Sequence, residues 1–303
     1  VPLNEGHEYR EQIGPTAAGR TLLDYLSARY GHSSREEWRS RIAEGRVLLG
    51  GAPALPETPL HAGQVLTWLR PAWTEPDVPG DAALVVLYED DELLAVDKPA
   101  GLPTLPGAGY VTQTLLARVR ERDAGASPVH RLGRWTSGIV LFARTPGAAA
   151  DLSRQHRAGT ITKSYRALAT GAPHSDAFTV RERIGPVPHP LLGRVHAATP
   201  SGRAATTHVE VLERRGVVFL ARARIETGRP HQIRIHLAAA GHPLAGDPLY
   251  LAGGIPAPGS CAVPGDPGYH LHAEELGCDH PRTGAPLSIR SLPPPVLRTL
   301  QAL

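Results

Sequence analysis

A chain of 303 residues, 41% hydrophobic and 20% charged, has material for one large core or for a large and a small one, and its composition is that of an ordinary soluble globular protein. No apolar run approaches the roughly 20 residues of a membrane-spanning helix, and the opening stretch carries Glu5, Glu8 and Glu11, unlike a secretion signal; a cytoplasmic protein with no membrane partner is expected. The net charge of +3 is by itself a weak argument for a polyanionic partner.

Cys261 and Cys278 are too few for a disulfide framework and read as unrelated thiols. Among 32 Lys and Arg, only Lys98 and Lys163 are lysine. In so arginine-rich a chain, a retained lysine marks a place where a compact ammonium serves and a planar guanidinium does not.

In chain order, Leu22, Leu23, Tyr25, Leu26 and Tyr30 recur at helical spacing and predict a first helix within 19–31. Ser33 and Ser34 stand three residues before Glu36 and Glu37, the spacing of a capping box, so a second helix runs from there to about Ala43 and stops at Gly45. Strand-like stretches at 47–49 and 65–69 flank turn material rich in Gly and Pro. Arg20, Arg29, Arg35, Arg39, Arg41 and Arg46 are spread through this small unit, 1–70. Residues 71–80, with three prolines and no periodicity, read as a linker. From 81 to 303 one α+β domain is expected, with strands near 83–88, 93–96, 139–143, 165–169, 207–212 and 219–225, and helices near 113–122, 148–157 and 231–240. Consecutive strands without regular helical crossovers predict a largely antiparallel or mixed sheet.

Five segments carry the residue types of a site: 91–107, 129–145, 162–168, 226–250 and 269–284. The stretch 130–138 mixes basic, hydroxyl and glycine residues just before an apolar strand, where a sheet holds a loop rigidly. Pro230 is expected to open a helix with His231, Arg234 and Ala238 on one stripe, a natural partner for phosphate or carboxylate. These features point to an anion-binding cleft and name no reaction.

Taken together and in this order, the segments resemble the signature blocks of the RNA pseudouridine synthases that act on large-subunit ribosomal RNA and some tRNAs. The likeness covers nearly all of 81–303. Residues 41–51 (RIAEGRVLLGG) resemble the signature of the αL-type RNA-binding module, with Gly50 where Asn is usual. The resemblance implies an α+β pseudouridine synthase fold, a mixed, bent central sheet with a cleft, preceded by that small module. It also implies structured ribosomal or transfer RNA as partner, a monomer, and neither cofactor nor metal. The reaction breaks the glycosidic bond at uracil N1, turns the base and rejoins it through C5, on a nucleotide flipped out of its stack.

Carried over residue by residue, Tyr165 stands where the family's tyrosine stacks on the base, and Arg234 where its arginine pairs with the catalytic aspartate. Arg131 resembles the residue that fills the gap left by the flipped base, and Lys98 a lysine lining the cleft. Arg134, Lys163, Arg35 and Arg39 are expected to contact RNA. The stretches 241–247 and 272–280 look structural.

One position departs from the pattern. In the block H-R-L-D-x-x-T-S-G, the residues His130, Arg131, Leu132, Thr136, Ser137 and Gly138 match, and Gly133 takes the place of the aspartate. Glycine can neither attack a sugar carbon nor accept a proton from it, and it permits backbone angles that aspartate resists. Asp123 is the nearest carboxylate in sequence; Asp97, Glu226 and Asp247 belong to other blocks that approach the cleft. Three readings stand, in this order of preference. The first is a uridine isomerase that recruits another group or the substrate itself; the second is an inactive relative that binds RNA. The last is a metal-dependent hydrolase built on His231, His236 and His242, or on His270, His272 and His280 with Cys278.

Overall fold

In the computed structural model, which describes residues 3–79 and 83–300, the chain divides into two units. One comprises the residues up to Pro76 together with Leu191–Gly193, and the other the rest from Asp77 on. Residues 80–82, the end of the expected linker and the start of the expected domain, lie outside the described residues.

The small unit pairs two helices with a four-stranded antiparallel sheet. Helix α1 (Leu22–Arg29) is capped by Thr21, whose hydroxyl accepts from the Asp24 amide. Helix α2 (Arg35–Ala43) opens on the expected capping box: the Glu37 amide donates to Ser34 Oγ at 3.2 Å, and the Ser34 amide donates to Glu37 Oε2 at 2.6 Å. Leu22, Leu23, Leu26, Trp38 and Ile42 bury one face of the pair. The strands are β1 (His7–Gln12), β2 (Val47–Leu49), β3 (Ala52–Pro53) and β4 (Val65–Arg70), in the order β1-β4-β2-β3. Strand β1 reads HEYREQ, polar on both faces, so no hydrophobic alternation announces it; six backbone pairings with β4 hold it instead. Residues 71–76 differ from a free linker. Asn4 Nδ2 donates to the buried Glu75 carboxylate at 2.9 Å, and the Arg70 guanidinium lies 3.5 Å from the centroid of the Trp73 ring.

The large unit is built on one principal sheet. Its elements are β5 (Val85–Glu89), β6 (Leu93–Lys98), α3 (Leu115–Arg122), β7 (Ser127–Pro128), β8 (Ser137–Ala143), α4 (Pro146–Ala158), β9 (Thr162–Thr170), β10 (Ala177–Val180), β11 (Ile184–His189) and β12 (Gly193–Ala198). They continue with β13 (Thr207–Arg215), β14 (Val218–Ile225), α5 (Gln232–Ala239), β15 (Tyr250–Leu251), β16 (Ile255–Pro256), β17 (Leu271–Asp279) and β18 (Pro286–Arg290). The sheet runs β10-β13-β14-β9-β17-β8-β6-β5, with β18 joined to β17 and β7 to β8. Its pairings are antiparallel except that of β8 with β17, which is parallel, so the sheet is mixed as the sequence predicts. Strands β6 and β8 are buried on both faces: Leu94, Val96, Val140 and Phe142 turn to one core, Leu93, Ala95, Ile139 and Leu141 to another that also takes Leu152 of α4.

Strand β17, central to the sheet, went unrecognised in the sequence because it carries His272 and Glu274 in buried positions. Its neighbours account for both. Glu274 accepts from Ser164 at 3.1 Å and from Arg222 Nε at 2.9 Å, and pairs closely with Arg166. His272 Nδ1 contacts Ser137 Oγ at 2.9 Å. The described helices include none long and apolar enough to cross a membrane.

The parallel contact of β8 with β17 includes Gly138, paired with Ala273. Its φ is +104°, and a Cβ there would overlap the backbone nitrogen and carbonyl of Ala273. Gly138→Ala should therefore destabilise the protein by more than about 2 kcal/mol, seen as a lower midpoint in urea unfolding.

Candidate active site

The loop 129–136 feeds β8, and its side chains meet those of β9, the start of α5 and the loop before β17. Together they enclose a pocket lined by Arg131, Leu132, Gly133, Thr136, Tyr165, Arg229, His231, Arg234 and Tyr269, among others. Tyr165 lies opposite Ala223 of β14 and Ala273 of β17, and directly opposed residues share a sheet face. Two small neighbours thus leave room beside its ring. The Tyr165 hydroxyl makes no hydrogen bond among the described residues, and burial raises its pKa above the ordinary phenol value. Arg131 is exposed at the rim, with no hydrogen bond or ion pair among the described residues.

Arg234 does have a carboxylate, contributed by Asp247. Arg234 Nε donates to Asp247 Oδ2 at 2.7 Å and Nη2 to Oδ1 at 2.8 Å, with the two side chains 2% and 1% exposed. Nη1 donates to the Pro264 carbonyl at 2.8 Å. Asp247 Oδ1 also accepts from the amides of Leu249 at 2.9 Å and Tyr250 at 3.2 Å. The guanidinium carbon lies 4.0 Å from the Tyr269 ring centroid and 4.9 Å from that of Tyr250. Helix α5 is buried from Gln232 to Ala238, so Arg234 meets its carboxylate inside the fold.

Around Gly133 the backbone is not left-handed, so its glycine is not demanded by backbone angles. A Cβ there would sit 3.2 Å from the Tyr269 hydroxyl and 3.4 Å from Thr136 Oγ1. Tyr269, which the sequence reading passed over, thus takes up part of the volume that a side chain at 133 would need. Its only signal in the sequence was its place at the head of the last block. None of the three alternative carboxylates lines the pocket. Asp97 borders a different cleft with Pro99 and Leu115, Glu226 is exposed and takes a hydrogen bond from His208 Nε2 at 2.7 Å, and Asp247 is committed to Arg234.

Other expected site residues are redistributed. Lys98 is fully buried and does not line the pocket. Its Nζ donates to the carbonyls of Pro99 and Leu102, each at 2.8 Å, and of Arg134 at 3.0 Å, tying the 99–102 turn to the loop that carries Gly133. Burial pushes its ammonium down to about 7. A compact three-donor head fits this cage of carbonyls and a planar fork does not, which accounts for the retained lysine. Arg134 is likewise turned inward, with Nε donating to the Gly265 carbonyl at 2.9 Å and Nη1 to the Tyr110 hydroxyl. Both residues hold the loop, and neither offers a free charge to RNA.

Lys163 remains available. It lines a second concavity with His156, Arg157, Glu226 and Arg229, makes no hydrogen bond or ion pair among the described residues, and is lowered to about 8 by burial. In the small unit Arg35 is paired with Asp24 at 2.5 Å, whereas Arg39 is exposed without an ion pair among the described residues. The histidines considered for a metal go to separate partners: His231 to Tyr250, His236 to Thr207 and the Glu182 carbonyl, His242 to the Thr170 carbonyl, His280 to Asp90. Cys261 is exposed and Cys278 buried, both free thiols.

Residues 92–239 match the family described as RNA pseudouridylate synthase. An uncharacterized RNA pseudouridine synthase of Synechocystis is 41% identical over 280 residues, covering 92% of this chain and 96% of that protein. The chain belongs to the RNA pseudouridine synthase family. By family, then, it is an RNA-modifying isomerase. The ribosomal large subunit pseudouridine synthase D of Xanthomonas campestris is 35% identical, covering 97% of this chain and 91% of that one. Among solved structures, human RNA pseudouridylate synthase domain containing 1 superposes with a TM-score of 0.58 at 26% identity, covering 73% of this chain and 89% of its own.

Removing one partner of the Arg234–Asp247 pair strands a charge in the interior. Asp247→Ala should cost about 3–5 kcal/mol in chemical denaturation, and Asp247→Asn, which keeps one acceptor oxygen, distinctly less.

Proposed function

We propose that this chain converts a uridine of structured RNA, ribosomal or transfer, into pseudouridine, on a nucleotide flipped into the pocket beside Tyr165. The observation that carries this reading is Tyr165 itself: a buried ring between two alanines, its hydroxyl unpartnered and bordering a pocket rimmed by the free cation of Arg131. An aromatic face of that kind holds a loose base, and its phenol, kept protonated by burial, donates to an oxygen or nitrogen of the ring. Arg229 borders both the pocket and the concavity of Lys163, which supplies positive charge for the phosphates on either side of the flipped nucleotide. The name of the Xanthomonas relative supports large-subunit ribosomal RNA as the substrate. In the small unit, Arg39 and the helix pair around it support a second RNA contact.

A second reading, an RNA-binding relative without catalysis, is favoured by one specific observation. The pocket is lined by no carboxylate, and the one beside it is wholly engaged by Arg234. Release of C5-bound tritium from labelled ribosomal RNA separates the two, because the C5 proton leaves before pseudouridine is complete. The wild type is expected to release it. Tyr165→Phe should bind RNA as the wild type does, while Tyr165→Ala loses roughly 1–3 kcal/mol of binding. A wild type that binds RNA and releases nothing, beside an active Gly133→Asp, would instead establish the second reading. Since the Tyr269 hydroxyl must yield a few tenths of an ångström to a new Cβ, Gly133→Asp is best made both alone and with Tyr269→Phe.

The Lys163 ammonium titrates near 8, so its charge is present below that pH and lost as pH rises through it. RNA affinity at fixed salt should fall between about pH 7 and pH 9. Fluorescence anisotropy with Lys163→Arg, which stays charged, should show that fall abolished.

A further inference from the structure

We infer that His231 is the general base of the pocket, taking the C5 proton of the turned uracil on its Nε2. This rests on the isomerase reading above and adds a catalytic group to it. Three observations lead there.

The first is hydrogen-bond arithmetic. The Tyr250 hydroxyl has a single hydrogen, and donates it to the His196 carbonyl at 2.8 Å. In its 2.7 Å contact with His231 Nδ1 the phenol oxygen must therefore accept. So Nδ1 carries the imidazole hydrogen and Nε2 keeps a bare lone pair. Nε2 makes no hydrogen bond among the described residues, and His231 is one of the residues that line the pocket.

The second is backbone conformation. His231, just before α5, has φ +56° and ψ +22°; with Ala108 it makes up the non-glycine residues of positive φ among those described. Such a conformation costs energy and persists only where its surroundings over-determine it, as around functional side chains.

The third is elimination. Arg131, Arg229 and Arg234 are cations, and Thr136, Tyr165 and Tyr269 offer hydroxyls. Gln232 Oε1 is occupied by Thr227 Oγ1 at 2.8 Å and the Arg229 amide at 3.1 Å. Burial raises Tyr165, which makes it a donor rather than a proton acceptor. Among the lining side chains this leaves His231 as the unprotonated base. Burial, then the charge of Arg234, with His196 and Arg131 in the same sense and Asp247 opposing, lowers it to about 3, so the lone pair is free throughout the neutral range. So weak a base removes only an acidic proton, and the intermediate supplies one. Once N1–C1′ has broken and C5–C1′ has formed, C5 is tetrahedral between the C4 carbonyl and a C6=N1 double bond. Nε2 takes the C5 proton, the C–H electron pair forms C5=C6, and the C6=N1 π pair moves onto N1. N1 then takes a proton from the imidazolium, and uridine has become pseudouridine with no atom gained or lost.

His231→Gly suits the left-handed backbone and leaves space for a free imidazole. Single-turnover tritium release should fall by about 10²–10⁴-fold with RNA affinity within about threefold of wild type, and added imidazole should restore at least tenfold. His231→Asn also tolerates the backbone; it should be as slow and show no rescue, and it carries the test if the glycine variant melts. Tyr250→Phe, which frees the ring to take the other tautomer, should slow release about tenfold without weakening RNA binding. An active wild type matched within threefold by His231→Gly and His231→Asn overturns the role of His231 alone. A wild type that binds RNA but releases no tritium overturns the isomerase reading and this role with it.

Discussion

The buried pair of Arg234 and Asp247 is the constraint on which the site depends. A guanidinium 2% exposed cannot be left without an anion, and this anion in turn accepts from two backbone amides of the loop that follows α5. Any sliding of the helix against that loop would part charges in a low-dielectric interior. An ion pair of this kind adds little net stability over a well-packed apolar pair. What it supplies is a single permitted geometry. Because Tyr250 and Tyr269 flank the same guanidinium, and His231 is hydrogen-bonded to Tyr250, one interaction sets the positions of three ring side chains around the pocket.

The opposite wall is held by backbone rather than by charge. Gly138 lets β8 run against β17, which carries Tyr269 at its approach to the hydroxyl of Thr136, 3.4 Å away. Lys98 stitches the same loop from behind through three carbonyls. On the face turned away from Tyr165, Glu274 of β17 serves both Arg166 of β9 and Arg222 of β14. The pocket face is left with cations, hydroxyls and one imidazole, an electrostatic balance suited to a phosphate backbone.

Much of this was legible in the sequence for physical reasons. The capping box at Ser34 and Glu37 is a local motif, complete within four residues, and it forms as written. Strands β6 and β8 are apolar on both faces, so their burial follows from composition alone. Tyr165 stood out through the resemblance of its segment, 162–168, to a family block, with Lys163 two places before it. What stayed hidden was non-local. Strand β17 looks too polar for a central strand until Arg166, Arg222 and Ser164 are brought to Glu274 from more than 50 positions away. Strand β1 exists only because β4 offers it an edge.

The sequence by itself determined the family, the mixed sheet, the order of the blocks and the absence of a side chain at position 133. Only the tertiary structure decided which charges are free. Lys98, Arg134 and Arg234 carry the same charge in the sequence as Lys163 and Arg131, but the first three are consumed by carbonyls, a phenol and a carboxylate, while the last two are not. The tautomer of His231 was settled in the same way, by a tyrosine 19 positions downstream and a carbonyl beyond it. Formal charge and residue type are local properties of a chain. Availability depends on which donors and acceptors folding places within about 3 Å, and those partners are chosen by the fold.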